Sequence, residues 1–388
     1  MRTPRPVLAA CLAAALLVVA ACGSSGESAS TDTTTTLPAA ENAFAYAERG
    51  PYPVGITTLT LTTGNKVEVW YPAAAGTTGT DAYDMREFVP EAVRALLTAD
   101  VPATYTIDAG RDAAAAGEQF PVVLFSHGFS GIRYQSSFLT SHLASWGMVV
   151  AAPDHPSRDL PSQLGGGAAP TDPVEDLSGT LTLLEAENAS GGVLGNTMNF
   201  DNVGLVGHSA GGGTVLAYAT SPAVDGYVSL ASGARLGPDA QTSETPTLPD
   251  KPSFFMAGTT DAVVEAETRT RPAFEAAPAP SLLWILEGVG HNGFDDFCTF
   301  GNGRGIIGVA EASGLGGLLE AVPQLKTLGS DGCGAPSVPV TDTFPIINHA
   351  VTSWLRSLFG IDSEPVGLGT AVAGDYSVPV EIVVKAGK

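Results

Sequence analysis

Positive charge is scarce in this chain. Lysine and arginine together number 18 against 40 aspartates and glutamates, a net charge of −22 over 388 residues. That balance excludes nucleic acid as a partner, works against electrostatic attachment to anionic lipid, and makes a polyanionic substrate a poor match. Cysteine is nearly absent too, with only Cys11, Cys22, Cys298 and Cys333. Neither Cys298 nor Cys333 has a second sulfur or a histidine at ligand spacing, so no metal site is expected. Long apolar runs are missing apart from residues 7–21, which are short for a transmembrane helix. The chain carries no internal repeat.

What stands at the N-terminus is an address. Arg2 and Arg5 precede the apolar stretch, which ends Val19-Ala20-Ala21-Cys22-Gly23. This segment resembles a bacterial lipoprotein signal with its lipobox. The resemblance implies cleavage of residues 1–21 and a diacylglycerol on Cys22. The product would be an exported protein anchored on the extracytoplasmic face of a bacterial membrane without spanning it. An ordinary secretory signal with an incidental cysteine is the competing reading. Residues 22–41, rich in serine and threonine and poor in apolar surface, read as a flexible tether. The remainder, 42–388, is long enough for one large core. Once Cys11 has left with the signal and Cys22 has taken lipid, Cys298 and Cys333 are an even pair in an exported protein. A disulfide is the simplest expectation.

Within 42–388 apolar strands alternate with helices. Residues 56–62 and 66–71, joined by Thr63-Gly64-Asn65, read as a hairpin. Buried strands are expected at 121–126, 148–152, 203–206, 226–230, 253–257 and 282–286, with helices at 134–146 and 172–187. Such an order predicts an α/β fold, a mostly parallel central sheet with helices on both faces. Ligands in these sheets bind beyond the carboxyl ends of the strands. An insertion is expected at about 76–118 and a C-terminal extension at about 361–388, with a strand-like run at 376–385 that would suit a sheet edge.

The sharpest motif is Gly207-His208-Ser209-Ala210-Gly211, directly after the strand 203–206 and before the helical run 212–218. A strand feeding a G-x-S-x-G turn into a helix is a nucleophile elbow, which presents Ser209 Oγ at the top of the sheet. A serine hydroxyl is a weak nucleophile, so it needs a base within reach and an acid to orient that base. Asp261 follows the strand 253–257 on the turn Gly258-Thr259-Thr260, and His291 follows 282–286 on Glu287-Gly288-Val289-Gly290. They are the candidate acid and base. Asp295 and Asp296 come after His291, where helix capping or surface solvation is the expectation. His208 reads as supporting the elbow and His127 as shaping the loop after the strand 121–126. His142, His155 and His349 read as structural or surface residues, and Trp284 as core.

Phe125-Ser126-His127-Gly128-Phe129, the run from Leu143 to His155 and the elbow give the chain a family likeness. It resembles α/β-hydrolases of the dienelactone-hydrolase, platelet-activating-factor-acetylhydrolase and polyester-hydrolase group, over roughly residues 50–360. Where the acetylhydrolase branch carries its acid, this chain has Leu230-Ala231-Ser232-Gly233, so the acid placement follows the dienelactone and polyester pattern. The Ala210 N–H, next to the nucleophile, is the first oxyanion donor. The resemblance implies the Phe129 N–H as the second. Two stretches stand near specificity: 83–105, with a short amphipathic run at 91–99 that reads as a lid or an edge cover, and Pro161 to Gly167, a gate or a plain surface loop.

The expectation is a serine esterase without metal or organic cofactor, acting on short-acyl, phospholipid-like or polyester substrates, with a monomer favoured. Amidase or peptidase action would use the same machinery. The alternative is a non-catalytic surface lipoprotein that binds a ligand on a hydrolase fold.

Overall fold

The computed structural model describes residues 42–98, 100–234 and 247–387. The signal, Cys22, the tether and Ala99 lie outside the described residues. The alternating apolar runs become strands β1 (Val54–Thr60), β2 (Lys66–Pro72), β3 (Asp81–Asp84), β4 (Thr104–Ile107), β5 (Gly110–Arg111) and β6 (Phe120–Ser126). They continue as β7 (Val149–Pro153), β8 (Met198–His208), β9 (Gly226–Leu230), β10 (Ser253–Gly258), β11 (Ser281–Leu286) and β12 (Val380–Lys385). All but the β3–β4 hairpin join one ten-stranded sheet, in the order β12-β11-β10-β9-β8-β6-β7-β2-β1-β5. Strands β7, β6, β8, β9, β10 and β11 run parallel, and β2 and β12 flank them antiparallel.

The helices are α1 (Glu91–Arg94), α2 (Ser137–Ser145), α3 (Leu160–Gln163), α4 (Pro173–Ser190), α5 (Ala210–Tyr218) and α6 (Arg271–Ala276). After them come the single irregular turn α7 (Phe300–Gly303), then α8 (Gly305–Ala312), α9 (Gly316–Ala321), α10 (Pro323–Ser330) and α11 (Val340–Leu358). Every residue of β6, β7, β9, β10 and β11 is buried, as strands covered on both faces require. Alternation along β6 divides the core. Val123 and Phe125 face Leu139 of α2 and Val351 of α11, while Val122 and Leu124 face Leu177 of α4 and Val215 of α5. Local chemistry sets the ends of α4. Asp172 accepts from the Val174 N–H as N-cap, Pro173 opens the helix, and Gly191 closes it at φ 74°.

The strand expected in the C-terminal extension takes a sheet edge, where β12 pairs along the whole of β11. Two expectations change. The nucleophile strand begins at Met198 and not at 203. Its first half interleaves Met198 and Phe200 with polar, partly exposed residues, and the register against β6 shifts between Pro121 and Val122, which hides it from an apolar-run reading. Asp295 and Asp296 are fully buried, where surface solvation was one expectation. Beyond His291 the chain builds a cap, α7 to α10, that the sequence does not announce; the Cys298–Cys333 disulfide brackets it, with Cα atoms 5.0 Å apart.

Candidate active site

Ser209 sits between β8 and α5 at φ 54°, ψ −124°, a region costly for any residue but glycine, by about 1–3 kcal/mol. Its surroundings hold it there. The Ser209 N–H donates to Leu230 O (2.9 Å), and Ser209 O accepts from the Gly212 N–H (2.9 Å) and Ser232 Oγ (2.7 Å). The flanking glycines are sterically required: a Cβ on Gly207 would collide with Gly211 O, and one on Gly211 with Ser126 O.

Asp261 and His291 are brought together by adjacent parallel strands, β10 and β11. His291 Nδ1 donates to Asp261 Oδ2 at 2.8 Å, and Asp261 Oδ1 accepts from the N–H groups of Val263 (2.8 Å) and Val264 (2.7 Å). Because the carboxylate is an acceptor only, a ring proton lies on Nδ1. Nε2 is buried with no hydrogen-bond partner among the described residues. The His291 loop packs against the elbow through His208, whose Nε2 donates to His291 O at 3.1 Å, the rings lying 4.7 Å apart.

Both candidate oxyanion donors are oriented by the other end of their own peptide groups. Gly128 O accepts from His127 Nδ1 (2.9 Å) and the Gly131 N–H (3.1 Å), so the trans peptide turns the Phe129 N–H the opposite way. Ser209 O, held as above, does the same for the Ala210 N–H. Neither N–H donates to an acceptor among the described residues. The two loops touch, since a Cβ on Gly128 would lie 3.1 Å from Ser209 Cβ. Phe129 itself is 47% exposed and lines an apolar cleft.

Behind the candidate oxyanion loop lies a buried polar lattice. Arg158 Nη2 donates to His127 O (2.7 Å) and Ser126 Oγ (2.8 Å), and Nη1 to Thr214 Oγ1 (2.6 Å) and Ala210 O (3.3 Å). One guanidinium thus grips both loops, and burial lowers its pKa to about 10. Ser126 Oγ, His155 Nε2 (2.9 Å), His155 Nδ1 and Asp176 Oδ2 (2.9 Å) repeat the Ser-His-Asp arrangement a second time. That copy is sealed: all three are at most 2% exposed, and Arg158 already occupies Ser126 Oγ. It braces the loop, and burial keeps His127 and His155 neutral, their pKa well below the ordinary value. The same holds for His208, which accepts from Gln135 Nε2 at Nδ1 while Gln135 Oε1 accepts from the Gly128 N–H (2.9 Å).

The sequence reading of His127, His155, His208 and Trp284 agrees with these positions; Trp284 is fully buried. Three supporting residues went unread. Gln135 links the oxyanion loop to the elbow, and Arg158 is a buried cation in a chain short of them. Asp331 accepts from the His291 N–H at Oδ1 (2.6 Å) and the Ala262 N–H at Oδ2 (3.2 Å), bridging the base and acid loops from the end of the cap. Only Arg158 left a trace in the sequence, through the rarity of its charge. Among the described residues no three His, Cys, Asp or Glu side chains are grouped to hold a metal ion.

Two families match the chain in overlapping pieces. Platelet-activating factor acetylhydrolase, isoform II, matches residues 37–162, and chlorophyllase matches residues 102–241. The first match contains the candidate oxyanion loop, and the second contains that loop and the Ser209 elbow. Both are families of α/β-hydrolase-type esterases. No curated protein matches the chain.

Proposed function

We propose that this chain, an α/β-hydrolase of esterase type, is a serine carboxylic-ester hydrolase working through an acyl-enzyme. Ser209 Oγ attacks the ester carbonyl while His291 Nε2 takes its proton, and Asp261 holds the imidazole and stabilises the imidazolium. The Phe129 and Ala210 N–H groups receive the oxyanion. His291 then protonates the leaving alcohol, and water releases the acid by the same steps in reverse. The observation that carries this reading is the Asp261 Oδ2–His291 Nδ1 bond of 2.8 Å, which leaves Nε2 buried and unpartnered beside a strained serine elbow.

Residues 1–21 would direct export and Cys22 would carry the anchor, placing the hydrolase domain 42–388 outside the cytoplasmic membrane on the tether 22–41. Short-acyl, phospholipid-like and polyester compounds are the substrate classes in play. Purified protein from residue 42 onward should hydrolyse p-nitrophenyl acetate or butyrate. Ser209→Ala should lower kcat by about a thousandfold or more with an unchanged circular-dichroism spectrum. Equal turnover by the two proteins would refute the serine mechanism.

A further inference from the structure

The cap and the insertion enclose a cleft that the catalytic reading does not use. It holds about 110 Å³ inside, and about 870 Å³ with its open mouth included. Its walls come from five elements: Met85 and Val93 beside and on α1, Leu164 after α3, Ile307 on α8, Leu318 on α9 and Leu325 on α10. Among the described residues no charged side chain lines it. Two of its ends meet the candidate active site. Phe129 and Ser130 belong to the oxyanion loop, and Leu328 O, on the α10 wall, accepts from Asn292 Nδ2 (2.7 Å), the residue after His291.

We propose that this cleft binds a long aliphatic chain of the substrate, leading away from the ester held at Ser209. The inference rests on the esterase reading and deepens it by choosing among substrate classes. A polyester strand laid in the cleft would bury an ester group at every repeat. The lining offers one polar side chain, Ser130, whose buried Oγ has no partner among the described residues. Repeated carbonyls would lose their water without replacement, whereas methylenes lose nothing by leaving it. The apolar lip fits the same occupant, with Phe129 47% and Leu318 38% exposed.

The shared chemistry is a hydrocarbon chain, and it can enter as the acyl or the alcohol half of the ester. Two substrate series separate them: p-nitrophenyl esters from acetate to dodecanoate, and alkyl acetates from ethyl to dodecyl. In the series that uses the cleft, kcat/KM should rise about two- to fourfold per methylene until the cleft is full. Two variants read the site. Ala310→Trp fills it, and Leu318→Glu places a charge at its rim, where folding is least at risk. Each should flatten that slope, cutting the decanoate-to-acetate or decyl-to-ethyl ratio at least tenfold. Independently, Ser209→Ala protein should bind dodecanoic acid or dodecanol in calorimetry, and the Leu318→Glu double variant should bind it at least tenfold more weakly.

Flat profiles in both series with Ser209-dependent turnover would overturn the chain site and leave the esterase standing. A rising profile that neither variant alters would also overturn it. Loss of the esterase reading itself looks different, as wild-type protein inert to every ester or turnover indifferent to Ser209→Ala.

Discussion

At the scale of single residues, the proposed chemistry rests on side chains that hold two loops in place. Ser209 and His291 stand out in the sequence because that chemistry needs small neighbours, glycines around the elbow and along the His291 loop. Asp331 and Gln135 act through side chains that cross 40 and 73 positions to their partners, and no local pattern records that. Arg158 is the supporting residue with the largest expected effect. It is proposed as a positioning residue, since its guanidinium reaches four acceptors at the end of β6, just after it and on the first turns of α5, flanking both candidate oxyanion donors. Lysine keeps the charge but cannot fork. Arg158→Lys should therefore lower kcat by about 10- to 100-fold, a part of what one oxyanion donor is worth, while KM moves less than about threefold. A folded variant with lower melting temperature and unchanged kcat would show that Arg158 only stabilises the fold.

At the scale of elements, strands were read well because burial on both faces demands apolar runs, as in β6, β9, β10 and β11. The cap was missed because α8, α9 and α10 are only eight, six and eight residues long and are rich in glycine, so no helical period accumulates. Short helices of that kind depend on outside support. Here it comes from the Cys298–Cys333 link, which on the chain-entropy model contributes about 3–4 kcal/mol, and from Asn292 and Asp331 at the end of α10. Non-reducing mass spectrometry should recover Cys298 linked to Cys333. On reduction, amide exchange in α8 to α10 should accelerate at least tenfold while β6, β8 and β9 keep their protection. Two free thiols in the untreated protein, or acceleration spread evenly over the sheet, would contradict a locally stapled cap.

At the scale of the whole molecule, parallel strands gather residues from four distant stretches at their carboxyl ends, where the candidate site lies. The same close packing buries titratable groups in number, and their opposing shifts shape the pH dependence of stability. Burial holds His127, His155 and His208 well below the ordinary histidine value and brings His142 and His349 to about 4. The unfolded chain binds protons at these histidines below about pH 6.5 where the folded chain refuses them, so stability falls as the solution is acidified through that point. Asp296 acts in the other sense. Burial pushes its carboxyl up to about 8, and that of Asp295 well above the usual range. The folded protein keeps a proton on Asp296 that the unfolded chain sheds above about pH 3.9, so this contribution drains away as pH rises toward 8. Above about pH 6.5 the histidines no longer oppose it, and stability should decline to pH 8 by up to about 1.4 kcal/mol per pH unit for each such carboxyl. Asparagine matches the shape of the protonated acid and carries no titration. The Asp296→Asn protein should lose one carboxyl's share of that slope, read as melting temperature or denaturant midpoint at several pH values between 6.5 and 8. Parallel slopes for the two proteins would mean that Asp296 is already ionised in the fold, with its buried charge balanced inside the structure.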